Sequence, residues 1–210
     1  DSTQLTNLSF LLGDYKHYPT DDENVRALIR SMSVGRKSNL AFYESVSMQA
    51  VAQMLIKSET IRSGTITFVR EMLNVGEMKT MELALHLAHR ALALAKEYGS
   101  LYDIAESYVV LSKYWLHNGD YQSSLNYSDS ALAYVNFQHK AYCKEYGKHL
   151  NNAVSGKDSL LSYSDDTDSI STEMRWIKDD EVWTSPSLIA DIREQTCKIY
   201  SAMGMKKEAD

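Results

Sequence analysis

Residues that interrupt helices are scarce in this sequence, which has two prolines and nine glycines among 210 residues. Pro19 and Pro186 both stand where a helix begins or ends, and proline is tolerated at such positions. The chain also lacks a run of about 18 apolar residues, the usual minimum for a transmembrane helix. These absences favour an α-rich fold and argue against a membrane-spanning helix within the sequence.

The two cysteines, Cys143 and Cys197, do not have the spacing of a metal-binding or redox motif. Cys197 occupies a small-residue packing position of its helix, so we expect a buried thiol there. A disulfide is the less favoured alternative. The formal net charge is −6, which argues against nucleic acid or an anionic membrane as the main partner.

Motifs of common enzymes are missing as well. The sequence has no HExxH, no GxSxG elbow, no dinucleotide fingerprint and no kinase catalytic motif. Ser155-Gly156-Lys157 lacks the upstream glycine and the preceding strand of a phosphate loop. We therefore predict that this chain is not an enzyme and binds no cofactor.

Two groups of residues raise the question of a metal site. Asp165, Asp166 and Asp168 do not continue as a calcium loop, because Ser171 stands where the sharp turn needs glycine. His86 and His89 lie one helical turn apart, but the sequence fixes no third ligand beside them. We predict no metal site, and we expect one histidine to face solvent and the other a helix interface.

Residues 81–132 organise the rest of the chain. They read as one long amphipathic helix, ended by Gly99, and then as a helix, a tight turn at Gly119 and another helix. The pattern resembles the tetratricopeptide repeat, in which aromatic, leucine, small and glycine positions recur in a fixed order. The positions that carry the resemblance are Ala105, Tyr108, Leu111, Ser112, Trp115, Gly119, Tyr121, Ser124, Leu125, Ala131 and Leu132.

The same template recurs at the end of the chain, shifted by 85 residues at every anchor (204 − 119, for example). Counting back from the long helix places another repeat start near Thr65. We therefore predict one all-α domain over residues 1–210, built from tetratricopeptide-like antiparallel helix pairs stacked as a right-handed superhelix. The better-matched repeats lie near 65–98, 105–135 and 190–210, with an irregular insert at 136–185.

Several helix ends can be read directly from the sequence. Thr20 followed by Glu23 is a capping box that opens a helix, and Gly35 is expected to close that helix. Ser185-Pro186 places a cap residue before a proline at the first helical position, which predicts a helix beginning at Pro186.

Two surfaces are candidates for recognition. In a repeat superhelix the first helix of each pair lines the concave face, where a polar groove suits a peptide or another polar ligand; an ordinary solvated helix face is the alternative. The predicted concave-face residues are Glu106, Lys113, His117, Asp191, Glu194 and Lys198. Trp176 and Trp183 lie outside the template, so they are candidates for an interaction patch or for simple packing.

A closer resemblance is carried by ALHLAHRALALAKEYGSLYDIAESYVVLSKYWLHNGDYQSSL and by SLIADIREQTCKIYSAMGMKKEAD. These segments resemble the periplasmic helical-repeat sensor region of bacterial sensor histidine kinases. The resemblance covers residues 81–133 and 186–210. It implies an extracytoplasmic sensor that binds a ligand or a protein and is anchored to the membrane through its parent protein.

The alternative is a free-standing scaffold that docks a protein or peptide in its groove. The chain does not begin with Met, and it stops at Asp210, where the second helix of a repeat would begin. We therefore expect a fragment of a longer protein. The identity of the partner and the presence of a homodimer are left open.

Overall fold

A computed structural model of the chain describes residues 18–57, 59–135 and 186–205. Within these ranges 82% of the residues are helical and none lies in a strand, which confirms the all-α prediction. Seven helices occur there. They are α1 (Asp21–Lys37), α2 (Ala41–Lys57), α3 (Ser63–Leu73), α4 (Thr80–Tyr98), α5 (Leu101–His117), α6 (121–135) and α7 (Pro186–Ala202).

The start of α1 follows the predicted capping box. The backbone N–H of Glu23 donates to the Thr20 hydroxyl oxygen over 3.3 Å, and that hydroxyl donates to the Glu23 carboxylate over 2.7 Å. Three acidic residues occupy the first turn and two basic residues the last turn, which suits the helix dipole. The predicted beginning of α7 at Pro186 is also confirmed.

Helices α1, α3, α5 and α7 end in the same backbone motif. In each, a residue with positive φ follows the helix, and two N–H groups bond back to the carbonyls three and five residues earlier. The four positive-φ residues are Asn39, Asn74, Gly119 and Gly204.

The prediction that Gly35 closes α1 is wrong by two residues. Gly35 is helical and buried, and α1 continues to Lys37. A Cβ at Gly35 would lie 3.2 Å from the backbone nitrogen of Glu44 and 3.3 Å from the Leu40 carbonyl oxygen. The close approach of the next helix therefore favours glycine there, because a Cβ would require its neighbours to shift by a few tenths of an ångström.

Helix α2 is the centre of the packing. It contacts α1, α4 and α5, while α5 also contacts α4 and α7. The apolar faces of these helices form a core whose largest fully buried side chains include Leu28, Met48, Leu83, Leu87 and Leu111. A second cluster joins α5, α6 and α7 through buried residues such as Ala105, Ala131 and Ile192.

Helix α3 packs mainly against α1. Its first turn is capped from α1, because the Asp22 carboxylate accepts the backbone N–H of Arg62 over 3.0 Å. Helix α4, the predicted partner of α3, packs mainly against α2 instead. The repeat predicted near 65–98 therefore consists of two helices, α3 and α4, that each pack mainly on other elements.

The expectation of a buried thiol at Cys197 is wrong, because this residue is exposed. Its counterpart 85 residues earlier, Ser112, is fully buried under α6. In the described part of the chain no helix covers the same side of α7. Cys143 and the insert at 136–185 lie outside the described residues.

Candidate functional site

Three helices of the fold have the same length and lie side by side. Helices α2, α5 and α7 are each 17 residues long, they begin at residues 41, 101 and 186, and α5 lies between the other two. The thirteenth residue of each is Gln53, Lys113 and Lys198. The 85-residue shift seen in the sequence thus reappears as the distance between the first residues of α5 and α7 (186 − 101).

Charged residues collect on one side of these three helices. In α5 and α7 an acid stands seven residues before the lysine, two turns earlier on the same side of the helix. We call this surface the charged face. It comprises Gln53, Lys57, Glu106, Lys113, Asp191, Glu194 and Lys198.

Lys113 lies at the centre of the charged face. Its side chain is half-buried, and its ammonium group donates a hydrogen bond to the side-chain oxygen of Gln53 over 3.1 Å. Burial lowers the pKa of Lys113, and the positive charge of Lys57 lowers it further. The Lys113 side chain is therefore partly covered by its neighbours, although the sequence alone predicts that it points outward.

The acidic residues act on the same ammonium. The carboxylates of Asp191 and Glu106 raise the pKa of Lys113 against burial, and Lys198 lowers it. Of the predicted concave-face residues, Glu106, Asp191, Glu194 and Lys198 therefore lie within electrostatic reach of Lys113. Their gathering on one surface is a property of the fold; their role in binding stays a prediction.

The α7 side of the face is more open to solvent. Lys198 forms an ion pair with Glu194 one turn earlier, with 58% and 63% of the two side chains exposed. The hydrogen bond from Lys198 lowers the pKa of Glu194, and the charges of Lys113 and Lys57 lower it further. The charge of Lys57 on α2 thus acts on Glu194 on α7, so the charged face extends over three helices.

His117 is exposed at the end of α5, in the position that Lys57 occupies on α2. It therefore extends the charged face at its edge. Trp176 and Trp183, the predicted interaction patch, lie outside the described residues.

Gln53 and Lys57 are the two members of the face that sequence reasoning missed. Their helix was not recognised as an equivalent of α5. A signal was present, because Ser45 and Ala52 place small residues seven apart, as Ala105 and Ser112 do on α5. The missing glycine turn after α2 concealed this match.

Buried amides hold the three helices in register. The Gln49 side chain of α2 donates to the Asp103 carbonyl oxygen over 2.8 Å and to the Ser107 hydroxyl over 2.6 Å, both on α5. The Gln195 side chain of α7 donates to the Ser112 hydroxyl of α5 over 3.3 Å. Both glutamines are almost fully buried, so these bonds form away from solvent and fix the spacing of the charged groups above them.

A concavity of about 510 Å³ lies between the first turns of α1 and α3. The Asp22 carboxylate there bonds to the first turn of α3, and a hydrogen bond from the Thr65 side chain lowers the pKa of Asp22. Arg62 completes the arrangement with an ion pair to Asp22 at 3.5 Å. Asp22 thus links the first turns of the two helices, so we interpret this cleft as a structural junction.

Other chemistry is not brought together in the described residues. His89 is exposed and His86 is half-buried, as predicted for the pair. Within the described ranges no three His, Cys, Asp or Glu side chains are grouped as metal ligands. Among the described helices, none has the length and apolar character needed to cross a membrane.

Comparison with known proteins places the chain in a family. Residues 98–210, more than half of the sequence, match a family described as Domain of unknown function (DUF5113). The matched region begins at the end of α4 and includes α5, α6 and α7, so it contributes two of the three helices of the charged face. No curated protein and no solved structure matches the chain. The chain belongs to the DUF5113 family.

Proposed function

We propose that this chain is a non-catalytic binding domain that takes a ligand or a protein partner on the charged face. The observation that carries the proposal is the convergence of charged side chains from α2, α5 and α7 around one half-buried ammonium, that of Lys113. A surface of mixed charge with a partly desolvated centre is suited to recognising polar groups, because electrostatic contacts strengthen where water is excluded.

The proposal includes a tetratricopeptide-like arrangement. Helices α2, α5 and α7 would be the first helices of successive pairs, α4 and α6 the second helices, and α3 an addition within the first pair. The order of contacts supports this assignment, because α5 lies between α2 and α7 while α4 packs on both α2 and α5. Stacked pairs of this kind create extended concave surfaces lined by their first helices.

We further propose that the domain is the periplasmic sensing part of a two-component histidine kinase whose catalytic domain lies outside this chain. This assignment rests on the sequence resemblance over residues 81–133 and 186–210. The rival role, a free-standing scaffold, would use the same face. The parent gene separates them: a hydrophobic span and kinase motifs downstream support the sensor, whereas a reading frame that closes soon after residue 210 supports the scaffold.

The proposed function is tested by a thermal-shift screen of the 210-residue chain against oligosaccharides, peptides and small metabolites. A ligand at 100 times its dissociation constant stabilises the folded state by about 2.7 kcal/mol, which a melting curve resolves easily. The matched variants are Lys113→Met, in the centre of the charged face, and Lys37→Gln, at the exposed end of α1.

We expect a ligand whose stabilising effect disappears in Lys113→Met and persists in Lys37→Gln. Stabilisation that survives in both variants would place binding elsewhere and contradict the proposed site. Catalytic turnover of any compound in the screen would contradict a non-catalytic role.

A further inference from the structure

We propose that the charged face contains a carboxylate-binding site between α2 and α5, formed by the ammonium groups of Lys57 and Lys113 and the side-chain amide of Gln53. The inference rests on the proposed function and adds the chemical class of the group that is bound.

The hydrogen bond between Lys113 and Gln53 orients the amide. Because the side-chain oxygen of Gln53 accepts from the Lys113 ammonium over 3.1 Å, its NH₂ group points away from that contact and has two N–H donors to offer. An ammonium also has three donors, of which this bond uses one. Donors from two helices thus converge on the same edge of the face.

Lys57 adds a second positive charge to this edge. It follows Gln53 by four residues, so the two side chains are neighbours on α2. After burial, its charge is the largest influence that lowers the pKa of Lys113. In the described part of the chain Lys57 has no carboxylate partner, unlike Lys198, whose ammonium pairs with Glu194.

The positive charges of Lys57 and Lys113 repel each other, so the binding of an anion between them is favoured. A bound oxyanion would accept hydrogen bonds from both lysines and from Gln53, and it would offset the repulsion that now acts on Lys113. The prediction that follows is a rise in the pKa of Lys113 when the site is filled.

The surroundings select a carboxylate over a phosphate. Glu106 and Asp191 also act on Lys113 from the same face. Lys57 and Lys113 together with Glu106 and Asp191 carry no net charge, so a carboxylate adds one negative charge to this group, whereas a doubly charged phosphate adds two and is repelled more strongly. The net charge of −6 also disfavours long-range attraction of anions, so the affinity must arise from these close contacts.

The carboxylate can belong to a free small molecule or to an acidic segment of a peptide. We would titrate the ¹⁵N-labelled 210-residue chain with sodium butyrate, with a capped hexapeptide of glutamate, with the matching hexapeptide of glutamine, and with inorganic phosphate. The readouts are the chemical shift of the Gln53 side-chain amide and the dissociation constant from calorimetry.

We expect the carboxylate probes to shift the Gln53 amide and the glutamine hexapeptide to leave it unchanged. Lys57→Gln and Lys113→Met should each weaken binding about tenfold or more, because each removes a charged donor. Lys37→Gln should change it by less than about twofold, the small effect of a distant screened charge. Lys113→Arg keeps the positive charge. Binding that survives in Lys113→Arg and is lost in Lys113→Met assigns the loss to the charge and not to a general effect of substitution on folding.

The two sources of carboxylate differ in affinity. Tighter binding of the glutamate hexapeptide than of butyrate, beyond its larger number of carboxylates, indicates an acidic peptide. Equal affinity per carboxylate indicates a small molecule. Either result supports the site.

Absence of any shift at Gln53 with the carboxylate probes, or binding that is unchanged in Lys57→Gln and Lys113→Met, would overturn the inference. Preference for phosphate over butyrate would overturn the assigned class. If a neutral or cationic compound from the thermal-shift screen still shifts the Gln53 amide, the proposed function stands without the carboxylate site. If no compound does, both proposals fail.

Discussion

The hydroxyl groups of Ser112 and Ser124 each donate a hydrogen bond to the backbone carbonyl of the other residue, over 2.8 and 2.7 Å. Their two oxygen atoms lie 3.1 Å apart, and both residues are fully buried where α5 meets α6. Side chains this small let two helices approach closely, and the reciprocal bonds satisfy hydroxyl groups that would otherwise be costly to bury.

Replacing Ser112 by alanine should destabilise the fold. The change removes its bond to the Ser124 carbonyl oxygen and leaves the buried Gln195 amide without that acceptor. A lost buried hydrogen bond with one partner left unpaired costs about 1–3 kcal/mol. The measurement is the urea midpoint of Ser112→Ala, with Ser201→Ala at an exposed position of α7 as control. Equal midpoints for the two variants would show that the buried bonds add no stability.

Gly119→Ala should destabilise the folded state only through the backbone conformation of residue 119. Gly119 has φ of 78°, a left-handed conformation, and an added Cβ would meet no atom within 4 Å. The expected loss is therefore the conformational one, about 1–2 kcal/mol. Gly64→Ala is the matched control, because it also has open space around its Cβ but lies in a helix without positive φ.

In Gly64→Ala we expect no loss and a gain of up to about 1 kcal/mol, since alanine reduces the entropy of the unfolded chain. Both variants are compared by chemical denaturation at the same pH. A gain at both positions would mean that the turn after α5 does not hold residue 119 in its left-handed conformation.

The buried carboxyl of Asp103 should make stability depend on pH. Burial raises its pKa from the ordinary value of 3.8, in spite of hydrogen bonds from Ser100 and Tyr98 that lower it. Between the ordinary and the raised pKa the folded state holds the proton that the unfolded state has released. The free energy of unfolding therefore falls as pH rises through this window.

Asp103→Asn should abolish that fall, because an amide keeps an oxygen that accepts the Tyr98 hydroxyl but cannot ionise. We expect the variant to gain more stability at about pH 7 than at about pH 4, in urea titrations at both values.

Asp120→Asn should change stability with the opposite dependence on pH. Hydrogen bonds from Ser123 lower the pKa of Asp120, so its charge stabilises the start of α6 until pH falls through that pKa. Parallel profiles for the two variants would refute both assignments.

Much of this architecture follows from local sequence signals, whereas the charged face depends on helix partners that lie far apart. The Thr20 capping box, the Gly119 turn and Pro186 act within a few residues, and each ended or began a helix where predicted. The seven-residue spacing of small side chains was visible on α5 and α7. On α2 it was hidden, because no glycine turn follows Lys57 and α3 intervenes before α4.

Burial was the hardest property to anticipate. Lys113 and Lys198 occupy equivalent positions, yet the first is half-buried against Gln53 and the second is largely exposed. The difference arises because α5 has neighbours on both sides, α2 and α7, whereas in the described part of the chain α7 packs mainly against α5. A single sequence reports the periodicity of a helix but not how many neighbours cover it.

The buried carboxylate of Glu44 joins α2 to two other helices, and its removal should destabilise the fold more than removal of an exposed pair. Glu44 accepts from Arg36 of α1 at 2.7 Å and lies 3.7 Å from Arg90 of α4, with only 10% of its side chain exposed. Glu44→Gln removes the charge at this junction and should cost about 1.5–3 kcal/mol, the range for a hydrogen bond to a charged group. The two arginines keep much of their hydration, which limits the loss.

Glu194→Gln is the matched control, because it breaks the exposed ion pair with Lys198 and exposed pairs contribute little. Urea midpoints at low and high salt distinguish the two variants. Salt should weaken the effect of Glu194→Gln, since water and ions screen an exposed pair, and it should leave most of the effect of Glu44→Gln in place. If both variants lose the same stability and respond equally to salt, the junction of α1, α2 and α4 is held by its apolar contacts, and Glu44 is there only to orient the two arginines.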